Sequence, residues 1–150
     1  MIFISGERIG WKVNLLGEKV YRNRSHALPV RKMYVSHVEK VKKEKVEMEG
    51  MDGQRTKGVW IQWLIREEQG AENYALRLFT VEPGGVIPKH QHPWEHEIFV
   101  LEGEGIIGAG DKEVEVSAGN FAYIEPDIPH WYRSTGEKEW KFLCIIPLRK

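Results

Sequence analysis

Three histidines are the residues whose type and spacing could do chemistry. His90, His92 and His96 fall within seven positions of one another. Neutral imidazole is the commonest protein ligand for mid-row divalent metals. His90 and His92 are two positions apart, so a strand would point both to one face, whereas a helix would separate them by about 200°. Pro88 and Pro93 bracket the pair and disfavour a helix. The spacing therefore predicts a metal site on a strand, with packed or hydrogen-bonded histidines as the alternative.

The elements that must position these side chains are predicted to be short β-strands from residue 57 onward. Eight segments rich in β-branched and aromatic residues are VWIQWLI, YALRLFTV, HEIFVLE, GIIGA, EVEV, FAYIE, HWYRS and WKFLCII. Turn residues separate them, including EPGG after the second segment. This pattern predicts an all-β barrel or sandwich over 57–150. Residues 1–56 are expected to be an N-terminal extension, an arm or extra strands, in which 36–49 fit neither helix nor strand periodicity.

Composition excludes several classes of function. The chain of 150 residues has the length of one domain, and its 22 basic and 22 acidic side chains give no net charge. Without a basic stripe, a nucleic acid partner is not expected. The longest apolar run, FLCIIP, is far shorter than the roughly 20 residues of a membrane-spanning helix. A single cysteine, Cys144, rules out an intrachain disulfide, and with no signal-peptide pattern it suggests a cytoplasmic protein.

The histidine spacing is similar to the first signature of the cupins, Gly-x5-His-x-His-x3,4-Glu-x6-Gly. Its positions are occupied by Gly84, His90, His92, His96 and Gly103. The second signature, Gly-x5-Pro-x-Gly-x2-His-x3-Asn, is matched by Gly119 and His130. Glu125, Asp127 and Ser134 stand where that signature has Pro, Gly and Asn. The chain thus resembles a small single-domain cupin over about residues 57–147, which implies a double-stranded β-helix, or jelly-roll-like barrel.

The first signature contains one departure that changes the chemistry. His96 stands where cupins usually carry a metal-binding Glu, and Glu97 follows it. Either residue could be the ligand, since both faces of this segment are apolar, but only His96 keeps the six-residue count to Gly103. The resemblance to the four-histidine manganese cupins implies that His90, His92, His96 and His130 bind one divalent ion. That ion is expected to be Mn(II) first and Fe(II) second.

A four-imidazole site leaves the ion its full charge and keeps positions open for substrate, which suits catalysis. The resemblance places Arg77, Ile87, Phe142 and Cys144 in the pocket, so a small apolar molecule with a carboxylate or enolate is expected. No catalytic base is evident. We predict a metal-dependent oxidoreductase, dioxygenase-like, acting on a small organic substrate. The alternatives are a non-catalytic metal- or small-ligand-binding cupin and a cupin isomerase for a sugar-like substrate. A homodimer is expected, because the segment VWIQWLI is apolar on both faces and poorly suited to solvent as an edge strand.

Overall fold

The computed structural model describes residues 10–13, 19–22 and 33–148. The chain divides into two compact units, residues 1–37 and 38–150. In the first unit, β1 (Gly10–Val13) and β2 (Lys19–Arg22) pair antiparallel. The second unit starts at Val38. It includes a 3-10 turn (Val38–Lys40) and β3 (Glu44–Lys45), which pairs with the first long strand.

The second unit is a single curled antiparallel sheet, which confirms the predicted all-β fold. After β3 its strands are β4 (Lys57–Ile65), β5 (Tyr74–His90), β6 (His96–Glu102), β7 (Glu104–Ala109), β8 (Lys112–Ser117), β9 (Phe121–Ile124), β10 (His130–Ser134) and β11 (Trp140–Pro147). Each of the eight predicted segments lies on one of these strands, except that the last residue of FAYIE, Glu125, follows the end of β9. A second 3-10 turn, Glu67–Gln69, separates β4 from β5. Within the described residues, no helix is long and apolar enough to span a membrane.

The long strand β5 organises the sheet. The main path of the sheet runs β8-β7-β10-β5-β11-β6-β9, and β4 joins β5 outside that path. The first half of β5 pairs with β4 and β11, and its second half pairs with β10. One strand therefore carries residues from the apolar wall of the barrel to the histidines at its far end.

The prediction of a turn at EPGG is wrong, because β5 continues through it. Between β4 and β5 the pairing shifts from Val59 with Val81 to Lys57 with Val86, so β5 accommodates extra residues as a bulge. Gly84 has a positive φ of 69°, a conformation that costs glycine little. The glycines here bend the strand and do not end it, as expected for bulges at the corners of a barrel.

The core of the second unit lies inside the curled sheet. Trp140, Phe142 and Val100 are almost fully buried at its centre. Strand alternation explains this, because inward positions of β6 and β11 are buried while their neighbours face outward. Residues 36–49, which fitted neither periodicity, contribute Val46 and Met48 to the margin of this core.

Candidate metal centre and adjoining cavity

Strand pairing and one connecting loop bring four histidines together. His90 is the last residue of β5 and His130 the first of β10, and the two are cross-strand partners. His96 begins β6, and His92 lies in the loop between β5 and β6. The expectation that His90 and His92 share a strand is therefore wrong, because only His90 lies on one. The two rings still lie close together, with centroids 5.7 Å apart.

Three of these histidines form a cluster with the chemistry of a metal site. The potential ligand atoms of His90, His92 and His130 lie within 4.8 Å of one another. Their Nδ1 atoms lie 2.8 Å from Pro88 O, 3.0 Å from Trp94 O and 2.7 Å from Ile128 O. A carbonyl can only accept, so each Nδ1 carries the hydrogen and each Nε2 is left as a lone pair.

His130 tests whether the cluster fits a metal. Its Nε2 is buried and has no hydrogen-bond partner in the described part of the chain. An unpaired buried nitrogen is costly, and a divalent cation would satisfy it. Three imidazoles with orienting carbonyls behind them are a donor set that suits such an ion. The residues present therefore fit a divalent metal.

Burial keeps these imidazoles neutral, as metal ligation requires. Burial lowers the pKa of His130 to about 4, although the hydrogen bond to Ile128 opposes the shift. Burial, followed by the charge of Arg77, lowers the pKa of His96 to about 2. The pKa values of His90 and His92 are also lowered, mainly by burial. Proton competition for the site is therefore weak near neutral pH.

His96 and Glu97 face opposite sides of β6. The His96 side chain is buried, and its Nε2 lies 2.7 Å from Nε2 of His92. Its ring centroid is 4.8 Å from that of His130. Glu97 lies on the exposed face. Of the two candidates for the fourth ligand, the geometry thus brings only His96 beside the cluster.

In the turn before His130, Asp127 stands where the second cupin signature has Gly, and it adopts a backbone conformation typical of Gly. Asp127 has a φ of 60°, the left-handed conformation that glycine adopts most easily and that Asp tolerates. Its backbone N–H donates to His92 O at 3.0 Å. The departure at this position therefore leaves the turn in place, and the turn ties the loop of His92 to the strand of His130.

A cavity of about 260 Å³ opens beside the histidines. Arg77, Ile87 and Cys144, three of the four residues expected in a substrate pocket, line this cavity. Phe142 does not, because it packs behind the wall, stacked on Phe79 at 5.3 Å and on Tyr132 at 5.5 Å. The rings of those two residues occupy the lining position that the prediction gave to Phe142.

Arg77 is a buried cation with aromatic and sulfur neighbours. Its guanidinium lies 5.5 Å from the ring centroid of Trp63 and 5.2 Å from that of Phe79. Its Nη2 donates to Cys144 Sγ at 2.9 Å, and burial raises the pKa of that thiol despite the nearby charge. No carboxylate among the described residues forms an ion pair with Arg77. A buried charge of this kind is expected to attract an anionic ligand.

Several lining residues were missed at the sequence level. Trp63, one of them, is the cross-strand partner of Arg77 on β4. Tyr132, also missed, lies two residues after His130 on β10. Trp94 was not missed, because its place beside the histidines in the sequence already made it a candidate wall residue, and it stacks on His92 with ring centroids 3.9 Å apart. Residue parity on β10 could have identified Tyr132. Finding Trp63 required the register between β4 and β5, which no local pattern reveals.

Comparison with known proteins identifies the family of the fold. The Cupin_2 family model, described as a cupin domain, matches residues 77–146. The solved structure of the polyketide cyclase RemF from Streptomyces resistomycificus is 33% identical, with a TM-score of 0.70. That match covers 78% of this chain and 80% of the cyclase chain.

Two curated proteins each match about half of the chain. An oxalate-binding protein from Thermotoga maritima is 33% identical over 76 residues, 48% of this chain and 63% of its own length. An (S)-ureidoglycine aminohydrolase from Arabidopsis thaliana is 30% identical over 74 residues, 49% of this chain and 25% of its own length. The chain thus matches less than two thirds of either relative.

Proposed function

Because the chain belongs to the cupin superfamily, we propose that it is a metal-dependent oxidoreductase, dioxygenase-like, for a small organic substrate that carries an enolate or carboxylate. One observation supports this most directly. The buried guanidinium of Arg77, which forms no ion pair with any carboxylate in the described part of the chain, faces an apolar cavity directly beside converging imidazoles. A cation and a metal site in one apolar cavity suit a substrate that is anionic at one end and apolar elsewhere.

We further propose that His96 joins His90, His92 and His130 as the fourth ligand of a divalent ion, Mn(II) first and Fe(II) second. The position of His96 Nε2 beside the cluster supports the four-histidine set. When bound, such an ion supplies a Lewis acid that stabilises an enolate and a redox centre for oxygen chemistry. Four neutral ligands would leave its charge undiminished.

The chain's own residues bind and orient the substrate. Arg77 would hold the anionic group, while Trp63 and Phe79 keep its guanidinium in place from two sides. Ile87, Met48 and Ile61 make the remaining wall apolar, which excludes water from the reacting groups. Among the residues that the structure describes, no carboxylate lines the cavity. Burial raises the pKa of Tyr132 well above its usual range, so its phenol stays protonated and cannot act as a base. A substrate that ionises readily is therefore favoured.

A second candidate is ring closure of an enolisable substrate without oxygen. The similarity to the polyketide cyclase RemF over 80% of that chain favours it. Ring closure through an enolate needs the same anion-binding cation and the same Lewis acid. The two reactions differ in whether oxygen is consumed, which makes them separable in one assay.

The test begins with protein purified without chelating resin. Elemental analysis should find about one divalent ion per chain, and oxygen uptake is then measured on enols and catechols with the Mn(II)- and Fe(II)-loaded forms. Oxygen consumption would support the proposed dioxygenase-like reaction. An isomeric product formed without oxygen uptake would instead support ring closure. Tight binding with no turnover leaves a binding protein, and no binding of any anion overturns the proposal.

Arg77→Met tests whether the cavity recognises an anionic substrate, and a neutral analogue of similar shape is the matched control. The variant should weaken binding of anionic ligands at least tenfold, because it removes the charge while keeping an unbranched apolar side chain. Binding of a neutral analogue of similar shape should change little. Equal losses for both ligands would show that Arg77 supports the cavity without recognising the anion.

A further inference from the structure

His96 differs from the other three histidines in what faces its second ring nitrogen. Each of the others has a backbone carbonyl at Nδ1. The Nδ1 of His96 lies instead 2.9 Å from Cys144 Sγ and 3.3 Å from Arg77 Nη2. A guanidinium can only donate a hydrogen bond, whereas a thiol can donate or accept.

Without a metal, these contacts fix one arrangement of hydrogens. The Nε2 of His92 is a bare lone pair, because its Nδ1 donates to Trp94 O. At 2.7 Å, His96 Nε2 must therefore carry the hydrogen that lies between the two rings. The Nδ1 of His96 is then bare and accepts from Cys144 or Arg77.

Metal binding through Nε2 requires the opposite tautomer. His96 must then carry its hydrogen on Nδ1, and that N–H needs an acceptor. Arg77 cannot serve, and a guanidinium facing an N–H is repulsive. Of the two described groups that touch this nitrogen, the Cys144 sulfur is the one that can accept.

We propose that Cys144 is the positioning residue that permits His96 to act as a metal ligand. Its sulfur donates to Nδ1 in the metal-free protein and accepts from Nδ1 in the metal-bound protein. Register supports the assignment, since Cys144 and Arg77 are cross-strand partners and the sulfur lies 2.9 Å from both the guanidinium and the imidazole. The inference rests on the four-histidine site proposed above.

The experiment compares metal affinities of the wild type, His96→Ala, Cys144→Ala and Cys144→Ser by calorimetric titration with Mn(II) and Co(II). The visible spectrum of the Co(II) form reports the ligand set independently of activity. Cys144→Ala should lower affinity about 10- to 100-fold and give the Co(II) spectrum of His96→Ala. Cys144→Ser keeps a group that can donate and accept, so it should stay within severalfold of the wild type.

A double variant separates hydrogen bonding from packing. Adding Arg77→Met to Cys144→Ala removes the donor that holds the wrong tautomer, so part of the lost affinity should return. Serine and alanine variants that are equally weak, with no recovery in the double variant, would assign the loss to packing and overturn the inference. Wild-type affinity in Cys144→Ala, alongside a loss in His96→Ala, would overturn it as well. An unchanged metal affinity in His96→Ala would instead show that His96 is not the fourth ligand.

Discussion

His96 and Glu97 are adjacent on β6 but face opposite sides of the sheet, and this makes them a matched pair. His96→Ala should lower metal occupancy severalfold, because it removes an imidazole beside the cluster. Glu97→Ala should leave occupancy unchanged, because that side chain is exposed. Elemental analysis after dialysis against a defined metal concentration measures both. The reverse result would assign the fourth ligand to Glu97.

Neutral buried histidines also make stability depend on pH. His130, with a pKa lowered to about 4, and His96, with a pKa lowered to about 2, bind protons more weakly in the folded chain than in the unfolded one. The unfolded state therefore gains protons first as pH falls, and the folded state loses stability below about pH 6.5.

The expected loss continues from about pH 6.5 to about pH 4 for His130 and further for His96, at about 1.4 kcal/mol per pH unit for each histidine. Urea unfolding of the metal-free protein at a series of pH values measures this loss in the free energy of unfolding. The His130→Gln variant should show a shallower slope over this window. The same slope in both proteins would contradict the prediction.

At the scale of the elements, the turn between β9 and β10 holds the site together. Asp127 adopts a positive φ there and binds the backbone of the His92 loop. Asp127→Val should lower the free energy of unfolding by about 1–2 kcal/mol, because a β-branched side chain is strained in this conformation. Asp127→Gly should not lower it.

Denaturant unfolding measures these changes, and Glu125→Val supplies the control two residues earlier. Glu125 is exposed and has no positive φ. Its replacement should stay within about 0.5 kcal/mol of the wild type. An equal loss in both valine variants would mean that the turn conformation is not the cause.

At the scale of the whole molecule, we propose that the chain forms a homodimer. The sequence suggested β4 as the exposed edge, but β4 is paired with β5 and in part with β3. The sheet instead presents large apolar side chains at the outer face of β6 and β9, where Phe121 is 81% exposed and lies opposite Phe99. Such a patch is unusual on a monomer.

Light scattering at micromolar concentration should therefore give the mass of a dimer. Phe121→Glu should shift the mass toward a monomer, because a charge would be buried at the contact. Val114→Glu, on the exposed face of β8 at the other end of the sheet, is the matched control and should remain dimeric. A monomeric wild type would contradict the proposal, and equal effects of both changes would place the contact elsewhere.

Much of this fold could be predicted because strand patterns are local. Alternation of inward and outward side chains and the turn residues between them identified eight strands, all but β5 within a few residues of both ends. The error at EPGG has a physical cause, since a glycine pair can bend a strand as well as end it. Local sequence does not distinguish the two outcomes, because the pairing partner decides them.

The sequence by itself determined the strands and the four histidines with the cupin spacing, whereas Arg77 and Cys144 were placed in the pocket only by the resemblance to cupins. Only the tertiary structure decided that His96 turns toward the cluster, that Phe142 stands behind the cavity wall, and that Trp63 lines it. The physical reason is that these relations depend on the register between strands distant in the chain. Side-chain spacing within one strand is fixed by its own backbone, whereas register is set by the packing of the whole sheet.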